Sequence, residues 1–346
     1  MKKAATTTPA APLSSKLSFS SDAETSLTDD FGRTFHYLRL SVTDSCNFKC
    51  AYCLPNGYTG TRAFELTREE IRRLVVGFAG LGFWKVRLSG GEPSVRRDLP
   101  QIIEDVAAVP GVRRVALSTN GFRLRELCQE IAPGSLQQVN VSVDSLDREV
   151  FARVTGKDLL PTVLAGIDAA LARGIAVKVN AVLLPENEDQ LDAFAAFVRE
   201  RPVTVRFIEL MQTRQNETYF IGKHRSPSSM ITRLEARGWT PRPRALGDGP
   251  ATEFSHAESL GGLGFVSAYS PGFCDTCNRL RVSSTGKLRL CLFGDGAFDL
   301  RPMLADDSQR QALMDTVRAR LGAKTAGHRL HASDPGTTEH LASIGG

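Results

Sequence analysis

The sequence predicts an α/β protein in which parallel strands alternate with helices. Six strand-like runs follow one another from about residue 36, at 37–42, 85–89, 114–118, 138–144, 176–184 and 203–210. Stretches with apolar residues at helical spacing separate them, as in residues 66–80. A repeated strand–helix order favours parallel strands with right-handed crossovers, and therefore an α/β barrel or an open α/β sheet.

Two of the helices have recognisable start signals. Thr67 and Glu70 predict a capping box, in which each side chain binds the backbone N–H of the other residue. Asn187 and Gln190 predict a second cap, directly ahead of the apolar positions in residues 191–198.

The strands alternate polar and apolar residues, although strands buried between helices are normally apolar throughout. The polar positions share one face of each strand: Arg39 and Ser41; Lys85, Arg87 and Ser89; Asn140, Ser142 and Asp144; Lys178 and Asn180. If the apolar face packs under the helices, this largely basic face lines the interior. Burying so much unpartnered charge would be very costly, so we expect a polar, anionic ligand there. A one-sided sheet with a solvated polar face is the alternative.

Length and composition are those of a globular protein. The chain has 346 residues, 42% hydrophobic and 23% charged, and a formal net charge of +5 that suits a small anionic ligand. No apolar run reaches the roughly 18 to 20 residues of a membrane span, and the start lacks the apolar segment of a secretory signal. The odd cysteine count, seven, fits a reducing cytoplasm better than a disulfide framework.

Three regions are predicted along the chain. Residues 1–31 form an N-terminal extension that is expected to be disordered, because its composition cannot bury enough apolar surface to offset ordering. Residues 32–245 hold the strand–helix units of the barrel. Residues 246–346 form a C-terminal region, ending in Gly-Gly, that is expected to close the mouth of the barrel.

Six of the seven cysteines form two groups of three. The first group is Cys46, Cys50 and Cys53, and the second is Cys274, Cys277 and Cys291. Zinc sites and iron–sulfur clusters normally take four protein ligands. Three thiolates on a [4Fe–4S] cluster would leave one iron open for substrate chemistry. Zinc remains an alternative for the second group, although His36, His224 and His256 lack the usual spacing. Cys128 is expected to be an inert helical cysteine.

The second strand runs directly into Gly90-Gly91-Glu92-Pro93. A CxxxCxxC loop, one strand–helix unit and a GGEP turn in this order resemble the radical S-adenosylmethionine enzymes. The resemblance implies a partial (βα)6 TIM-like barrel with a [4Fe–4S] cluster on the cysteine loop. The open iron of that cluster would chelate S-adenosylmethionine.

Longer motifs resemble one family within this superfamily, the GTP 3′,8-cyclases. They include LRLSVTDSCNFKCAYCLP, VRLSGGEPSVRRDL, STNG, VNVSVDSLD, VRFIELM, FCDTCNRLRVSSTGKLRLCLFGDG and the terminal SIGG. The resemblance covers about residues 32–346. Ser89 and Ser118 stand where the family more often has threonine, and the hydroxyl group is kept at both positions.

The resemblance implies a role for each matching residue. S-adenosylmethionine would contact Tyr52 (through its backbone), Gly91, Ser142 and Met211. GTP would contact Arg39, Arg87, Ser118, Lys178, Arg279 and Arg281. The first cluster would bind Cys46, Cys50 and Cys53, and a second [4Fe–4S] cluster, whose open iron takes the guanine base, would bind Cys274, Cys277 and Cys291. The terminal Gly345 and Gly346 would enter the barrel as catalytic residues.

The implied activity is the conversion of GTP to (8S)-3′,8-cyclo-7,8-dihydroguanosine 5′-triphosphate, the first step of molybdenum cofactor biosynthesis. The chain would then be a cytoplasmic lyase that uses S-adenosylmethionine and two [4Fe–4S] clusters. Implied partners are an electron donor such as flavodoxin or ferredoxin and the next enzyme, cyclic pyranopterin monophosphate synthase. A homodimer is compatible with the resemblance, and neither nucleic acid nor a membrane is expected as a partner.

Two other functions use the same residues. A radical S-adenosylmethionine peptide-modifying enzyme with an auxiliary cluster would have more cysteines near its C-terminus and would lack the NRLR segment at 278–281. A zinc-stabilised nucleic-acid binder would need exposed aromatic residues among its basic ones. Aromatic residues make up 7% of the chain and stand mostly in apolar surroundings, which disfavours such a binder.

Overall fold

The structure is a computed structural model that describes residues 26–60, 64–244 and 249–344. Strands and helices alternate through most of this range, as the sequence predicts. The strands are β1 (Leu27–Thr28), β2 (Thr34–Phe35), β3 (Tyr37–Thr43), β4 (Lys85–Gly90), β5 (Arg114–Thr119), β6 (Gln138–Ser142), β7 (Ala176–Leu183), β8 (Val203–Glu209), β9 (Thr240–Pro241), β10 (Thr252–Ser255), β11 (Gly262–Val266), β12 (Arg279–Val282), β13 (Lys287–Arg289) and β14 (Phe298–Asp299).

Helices connect most of these strands. The α-helices are α1 (Arg68–Gly80), α2 (Leu99–Ala108), α3 (Leu124–Glu130), α4 (Arg148–Thr155), α5 (Leu160–Ala172), α6 (Leu191–Glu200), α7 (Glu217–Lys223), α8 (Ser228–Glu235) and α9 (Arg310–Leu321). The short 3-10 helices are Pro93–Val95, Glu188–Gln190, Arg301–Leu304, Asp307–Gln309, Leu330–Ala332 and Leu341–Ile344. Among the described residues, no helix combines the length and the apolar character that a bilayer span requires.

Twelve strands form one sheet, in the order β14-β13-β12-β3-β4-β5-β6-β7-β8-β11-β10-β9. The run from β12 to β11 is parallel throughout, and antiparallel strands complete both ends. Strands β3 to β8 are the six predicted strands, with ends within about two residues of the predicted ones. The sheet has two ends, β14 and β9, so the predicted α/β fold is confirmed in the form of a partial barrel.

The C-terminal part of the chain extends the sheet at both sides. Strand β12 pairs in parallel with β3, and β11 pairs in parallel with β8. The pairing of β12 with β3 brings the second cysteine group beside the strand that leads into the first group. Strands before and after the predicted boundary therefore belong to one sheet, while the bounds of the three predicted regions remain a prediction.

The apolar core lies between the sheet and its helices. On β3, Leu38, Leu40 and Val42 are fully buried, and they belong to one apolar cluster with Phe78 of α1. Arg39 alternates with these residues and faces the interior of the barrel. This alternation is the physical basis of the predicted polar face, because successive side chains of a strand point to opposite sides.

The predicted capping box at α1 is confirmed. The Thr67 hydroxyl accepts the N–H of Glu70 at 3.2 Å, and the Glu70 carboxylate accepts the N–H of Thr67 at 2.7 Å.

The predicted side-chain cap at Asn187 is wrong. Asn187 stands at the N-cap position of the 3-10 helix Glu188–Gln190, which leads into α6 at Leu191, but its side chain makes no capping hydrogen bond. Its amide donates to the carbonyl oxygens of Asp144 and Val182 at 2.6 and 2.7 Å and accepts the N–H of Leu184 at 2.9 Å. The Asn187 side chain thus ties the ends of β6 and β7 together instead of capping the helix.

Candidate active site

The polar face of the sheet encloses a cavity of about 650 Å³. Side chains from every strand between β12 and β11 contribute to its lining. All the predicted site residues in the described part of the chain line it: Arg39, Cys46, Cys50, Tyr52, Cys53, Arg87, Gly91, Ser118, Ser142, Lys178, Met211, Cys274, Cys277, Arg279, Arg281 and Cys291. Residues more than 240 positions apart in sequence therefore face one space.

The first cysteine group lies on the loop after β3. Backbone hydrogen bonds of 3.0 Å from Lys49 and Ala51 to the carbonyls of Thr155 and Val154 fix this loop to the end of α4. Burial raises the pKa of the Cys46 thiol to about 11 and that of Cys53 to about 12. Burial also raises the pKa of Cys50, with a further contribution from the Asp144 carboxylate.

Free thiols in this loop are therefore protonated at neutral pH. Thiolates form there only if a positive charge replaces the protons, as iron does when it binds sulfur. No His, Cys, Asp or Glu group among the described residues is arranged around a single metal ion. A [4Fe–4S] cluster needs a wider arrangement, because each thiolate binds a different iron. The donor set of the first group fits such a cluster.

The GGEP turn packs directly against this loop. A Cβ atom on Gly91 would lie 2.4 Å from the carbonyl oxygen of Ser45, and one on Gly90, where φ is +147°, would lie 2.1 Å from that of Thr43. Only glycine allows two backbones to approach so closely. The buried Glu92 carboxylate completes the turn, since it accepts the backbone N–H of Asn120 at 2.5 Å.

Basic residues form two rows across neighbouring strands. Arg281 of β12, Arg39 of β3 and Arg87 of β4 are in register, and Arg279, Tyr37 and Lys85 are in register two residues earlier. Burial lowers the pKa of Arg281 to about 10, with a further contribution from Arg279. Burial and the neighbouring Arg281 also hold the pKa of Arg39 well below its usual value. Binding of a polyanion would stabilise such a site, because it would neutralise these charges.

Tyr37 stands among these cations, and sequence reasoning missed it. Its hydroxyl accepts a hydrogen bond from the Arg87 guanidinium, and Lys85 Nζ lies 4.6 Å from the centre of its ring. Burial raises the pKa of the Tyr37 phenol, but the charges of Arg87, Arg39 and Lys85 outweigh it and lower the pKa to about 7. Tyr37 stands two residues before Arg39 on a strand that alternates polar and apolar residues, so the same pattern predicts that Tyr37 faces the cavity.

The far side of the cavity has its own polar pairs. Lys178 of β7 forms an ion pair with Glu253 of β10 at 2.6 Å. Arg206 of β8 donates two hydrogen bonds, of 2.7 and 3.1 Å, to the amide oxygen of Asn180. Arg206 is a further cation of the cavity wall that sequence reasoning did not single out.

The second cysteine group lies around β12. The turn from Cys274 to Cys277 closes with a backbone hydrogen bond of 3.0 Å. Burial raises the pKa of Cys277, but the nearby Arg279 and Lys324 outweigh it and lower the pKa to about 7. At Cys274 burial prevails and raises the pKa. A thiolate is therefore easier to form at Cys277 than in the first group.

Comparison with known proteins supports one family. Residues 40–198 match the radical SAM superfamily and residues 203–330 match Molybdenum Cofactor Synthesis C. The GTP 3′,8-cyclase of Aeromonas hydrophila is 52% identical over 92% of this chain and 96% of its own length. Those of Stenotrophomonas maltophilia and Synechococcus elongatus are 51% and 49% identical, each over 92% of this chain and 99% of their own. This chain belongs to the GTP 3′,8-cyclase family.

Solved structures support the fold of this GTP 3′,8-cyclase family member. Streptococcus suis SuiB bound to S-adenosylmethionine superposes with a TM-score of 0.57, over 88% of this chain and 76% of SuiB, at 12% identity. At that identity the likeness concerns the fold alone. Membership of the radical SAM superfamily implies a [4Fe–4S] cluster and S-adenosylmethionine as cofactors.

The described structure thus brings together every site residue that it covers. Gly345 and Gly346 lie outside the described residues. Cys128 is buried in α3 and does not line the cavity, so its predicted helical position is confirmed, and its inertness remains a prediction. The roles of the individual residues remain proposals.

Proposed function

We propose that this member of the family converts GTP to (8S)-3′,8-cyclo-7,8-dihydroguanosine 5′-triphosphate, the first step of molybdenum cofactor biosynthesis. The observation that carries the proposal is that two groups of three thiols and the in-register cations line one cavity. A cavity of about 650 Å³ is large enough for small ligands to meet inside it.

The thiols of the first group would hold one [4Fe–4S] cluster, and those of the second group would hold another. When bound, the first cluster and S-adenosylmethionine would supply the radical chemistry by which hydrogen is abstracted from the ribose of GTP. The buried loop and the GGEP turn keep the first cluster at a fixed place in the wall. Zinc, the alternative for the second group, is disfavoured by family membership.

The basic rows would bind the triphosphate of GTP. Guanidinium groups match phosphate oxygens in geometry and charge, and Arg39, Arg87 and Arg281 are in register on three neighbouring strands. The proposed contacts are Arg39, Arg87, Ser118, Lys178, Arg279 and Arg281, to which the cavity adds Lys85 and Arg206. Lys178 would be shared between the nucleotide and Glu253.

The residues proposed for S-adenosylmethionine are Tyr52, Gly91, Ser142 and Met211. The backbone carbonyls of Tyr52 and Met211 accept hydrogen bonds from one side chain, that of Asn216, at 3.3 and 3.1 Å. Asn216 therefore holds two of the proposed contact segments together. Hydrogen abstraction needs no protein acid or base. The proposed role of these residues is therefore to orient the cofactor and to exclude water.

The C-terminal tail would complete the site. The 3-10 helix Leu341–Ile344 packs on β3 and β4, and Leu341 and Ala342 line the cavity. Backbone N–H groups of these two residues donate to the Cys53 thiol. Gly345 and Gly346 follow this helix directly in the sequence, and we propose that they act beside both ligands.

We also propose the finer assignments that family membership suggests. These are a cytoplasmic location, an electron donor such as flavodoxin or ferredoxin, and delivery of the product to cyclic pyranopterin monophosphate synthase.

The test uses protein that is reconstituted with iron and sulfide without oxygen. Two clusters give about eight irons per chain, and each single-cluster variant is expected to keep about four. Cys50→Ser should abolish formation of 5′-deoxyadenosine from S-adenosylmethionine. Cys291→Ser should keep slow formation of 5′-deoxyadenosine and lose the cyclised nucleotide. Cys128→Ser is the matched control, and it should keep all the iron and both products.

Two results would contradict the proposal. One is a normal rate of GTP cyclisation by Cys291→Ser. The other is wild-type protein that holds both clusters and cleaves S-adenosylmethionine but leaves GTP unchanged.

A further inference from the structure

The buried Arg33 side chain is the centre of a hydrogen-bond network beside the second cysteine group. Its side chain is 4% exposed, and that of its ion-pair partner Asp29 is 1% exposed. One Arg33 nitrogen, Nη1, donates to the carbonyl oxygens of Cys274 at 3.3 Å and Ala326 at 2.5 Å, and Nη2 donates to that of Thr325 at 2.8 Å. A single guanidinium therefore joins the Cys274 loop to the segment after α9.

The orientation of Arg33 is set from outside the site. The Asp29 carboxylate accepts Arg33 Nε at 2.7 Å and also the backbone N–H groups of Phe31 and Arg33, at 3.1 and 3.0 Å. Gly32, with φ of +74°, closes this turn between β1 and β2. The Phe31 ring lies 5.0 Å from the guanidinium carbon. The guanidinium is thus held in place before any ligand binds.

The segment that Arg33 holds lies against the sulfur of Cys274. A Cβ atom on Gly327 would lie 3.6 Å from Cys274 Sγ, and the backbone N–H of His328 donates a hydrogen bond to the Cys274 thiol. Residues 325–328 therefore form the wall behind this sulfur atom. Without the guanidinium, these three carbonyl oxygens would lose this donor, and the loop and the wall would separate.

We propose that Arg33, oriented by Asp29, is a positioning residue for the second [4Fe–4S] cluster. It fixes the Cys274 thiolate by holding the Cys274 loop against residues 325–328. The inference rests on the proposed function, because it needs a cluster at the second cysteine group. Arg33 is not among the residues that line the cavity, so it acts through Cys274 and touches neither GTP nor the cluster.

The test measures iron content and the low-temperature electron paramagnetic resonance spectrum of the full chain after anaerobic reconstitution. The iron content of Arg33→Gln is expected to fall from about eight irons per chain to about four, and its spectrum should lose the signal of the second cluster. Its cleavage of S-adenosylmethionine at the first cluster should continue. Arg33→Lys keeps a charged donor and is expected to recover the second signal in part. Cys274→Ala serves as the reference for selective loss.

Arg301→Gln is the matched control. Arg301 also joins a carboxylate, that of Glu70, to a backbone carbonyl, that of Phe64, at 2.8 and 2.6 Å, but away from the second cysteine group. This variant should keep about eight irons. Loss of both clusters in Arg33→Gln, or a normal second signal in it, would overturn the inference.

A milder variant covers the case in which Arg33→Gln does not fold. Asp29→Asn keeps the size of the side chain and removes its charge. The second cluster of this variant should lose iron to a chelator about tenfold faster than that of wild type, as expected for one weakened charge-assisted contact. Equal rates would overturn the inference. Wild-type protein with only about four irons would instead reject the second cluster itself, and with it the proposed function.

Discussion

Removing the charge of Arg281 should stabilise the nucleotide-free protein and weaken its binding of GTP. Arg281 is in register with Arg39 on the neighbouring strand, and parallel strands lie about 4.8 Å apart. Two unit charges about 5 Å apart repel by about 3 kcal/mol at an effective dielectric constant of about 20. Burial, with a further contribution from Arg279, also lowers the pKa of Arg281 from 12.5 to about 10. This fall corresponds to a cost of about 3 kcal/mol for keeping the charge, at about 1.4 kcal/mol for each pH unit.

Arg281→Met keeps most of the side-chain volume and removes the charge. We expect the free energy of unfolding to rise by about 1 to 2 kcal/mol, less than the full repulsion, because favourable interactions of the guanidinium are lost with it. GTP should bind more weakly by about 1.5 to 3 kcal/mol, the usual cost of losing one charge-assisted contact. Affinity for S-adenosylmethionine should stay close to that of wild type.

The assay compares thermal unfolding without nucleotide and GTP affinity by calorimetry, both on cluster-loaded protein under argon. Arg125→Met is the control, because Arg125 is exposed on α3 and outside the cavity. It should change neither quantity by more than about 0.5 kcal/mol. An Arg281→Met protein that is less stable than wild type and binds GTP equally well would refute the reasoning.

Two more predictions concern the tail and the pH dependence of stability. Deletion of Gly345 and Gly346 should leave about eight irons and the fold intact, while cyclisation collapses and uncoupled cleavage of S-adenosylmethionine continues. If the truncated chain cyclised GTP at the same rate as the full chain, the proposed role of the tail would be refuted. Burial, with a contribution from Lys85, lowers the pKa of His36 to about 4, so His36 is neutral in the folded chain near pH 6. The unfolded chain takes up this proton below about pH 6.5, so the free energy of unfolding should fall from pH 6.5 towards pH 4. The His36 ring stacks on Trp84 with ring centres 4.9 Å apart, and His36→Phe keeps an aromatic ring there. This variant should show a flatter profile in denaturant titrations, and an unchanged profile would assign the effect to other groups.

The sequence alone determined the elements and the chemistry of the site. Polar and apolar residues alternate along each strand with a period of two, and this period depends only on backbone geometry. It therefore marked the six parallel strands and the inward position of Arg39, Arg87 and Lys178. The spacing of thiols within each cysteine group is equally local. Family motifs then supplied ligand roles that no residue pattern could have given.

Only the tertiary structure decided how distant segments meet. The register of β12 against β3 aligns Arg281 with Arg39, although more than 240 residues separate them. The same packing directs the Asn187 side chain to two strand ends instead of to the N–H groups of the helix that follows it, and it joins Arg33 to Cys274. Such contacts depend on the free energy of packing the whole sheet, and a local pattern holds no information about which distant partner that packing supplies.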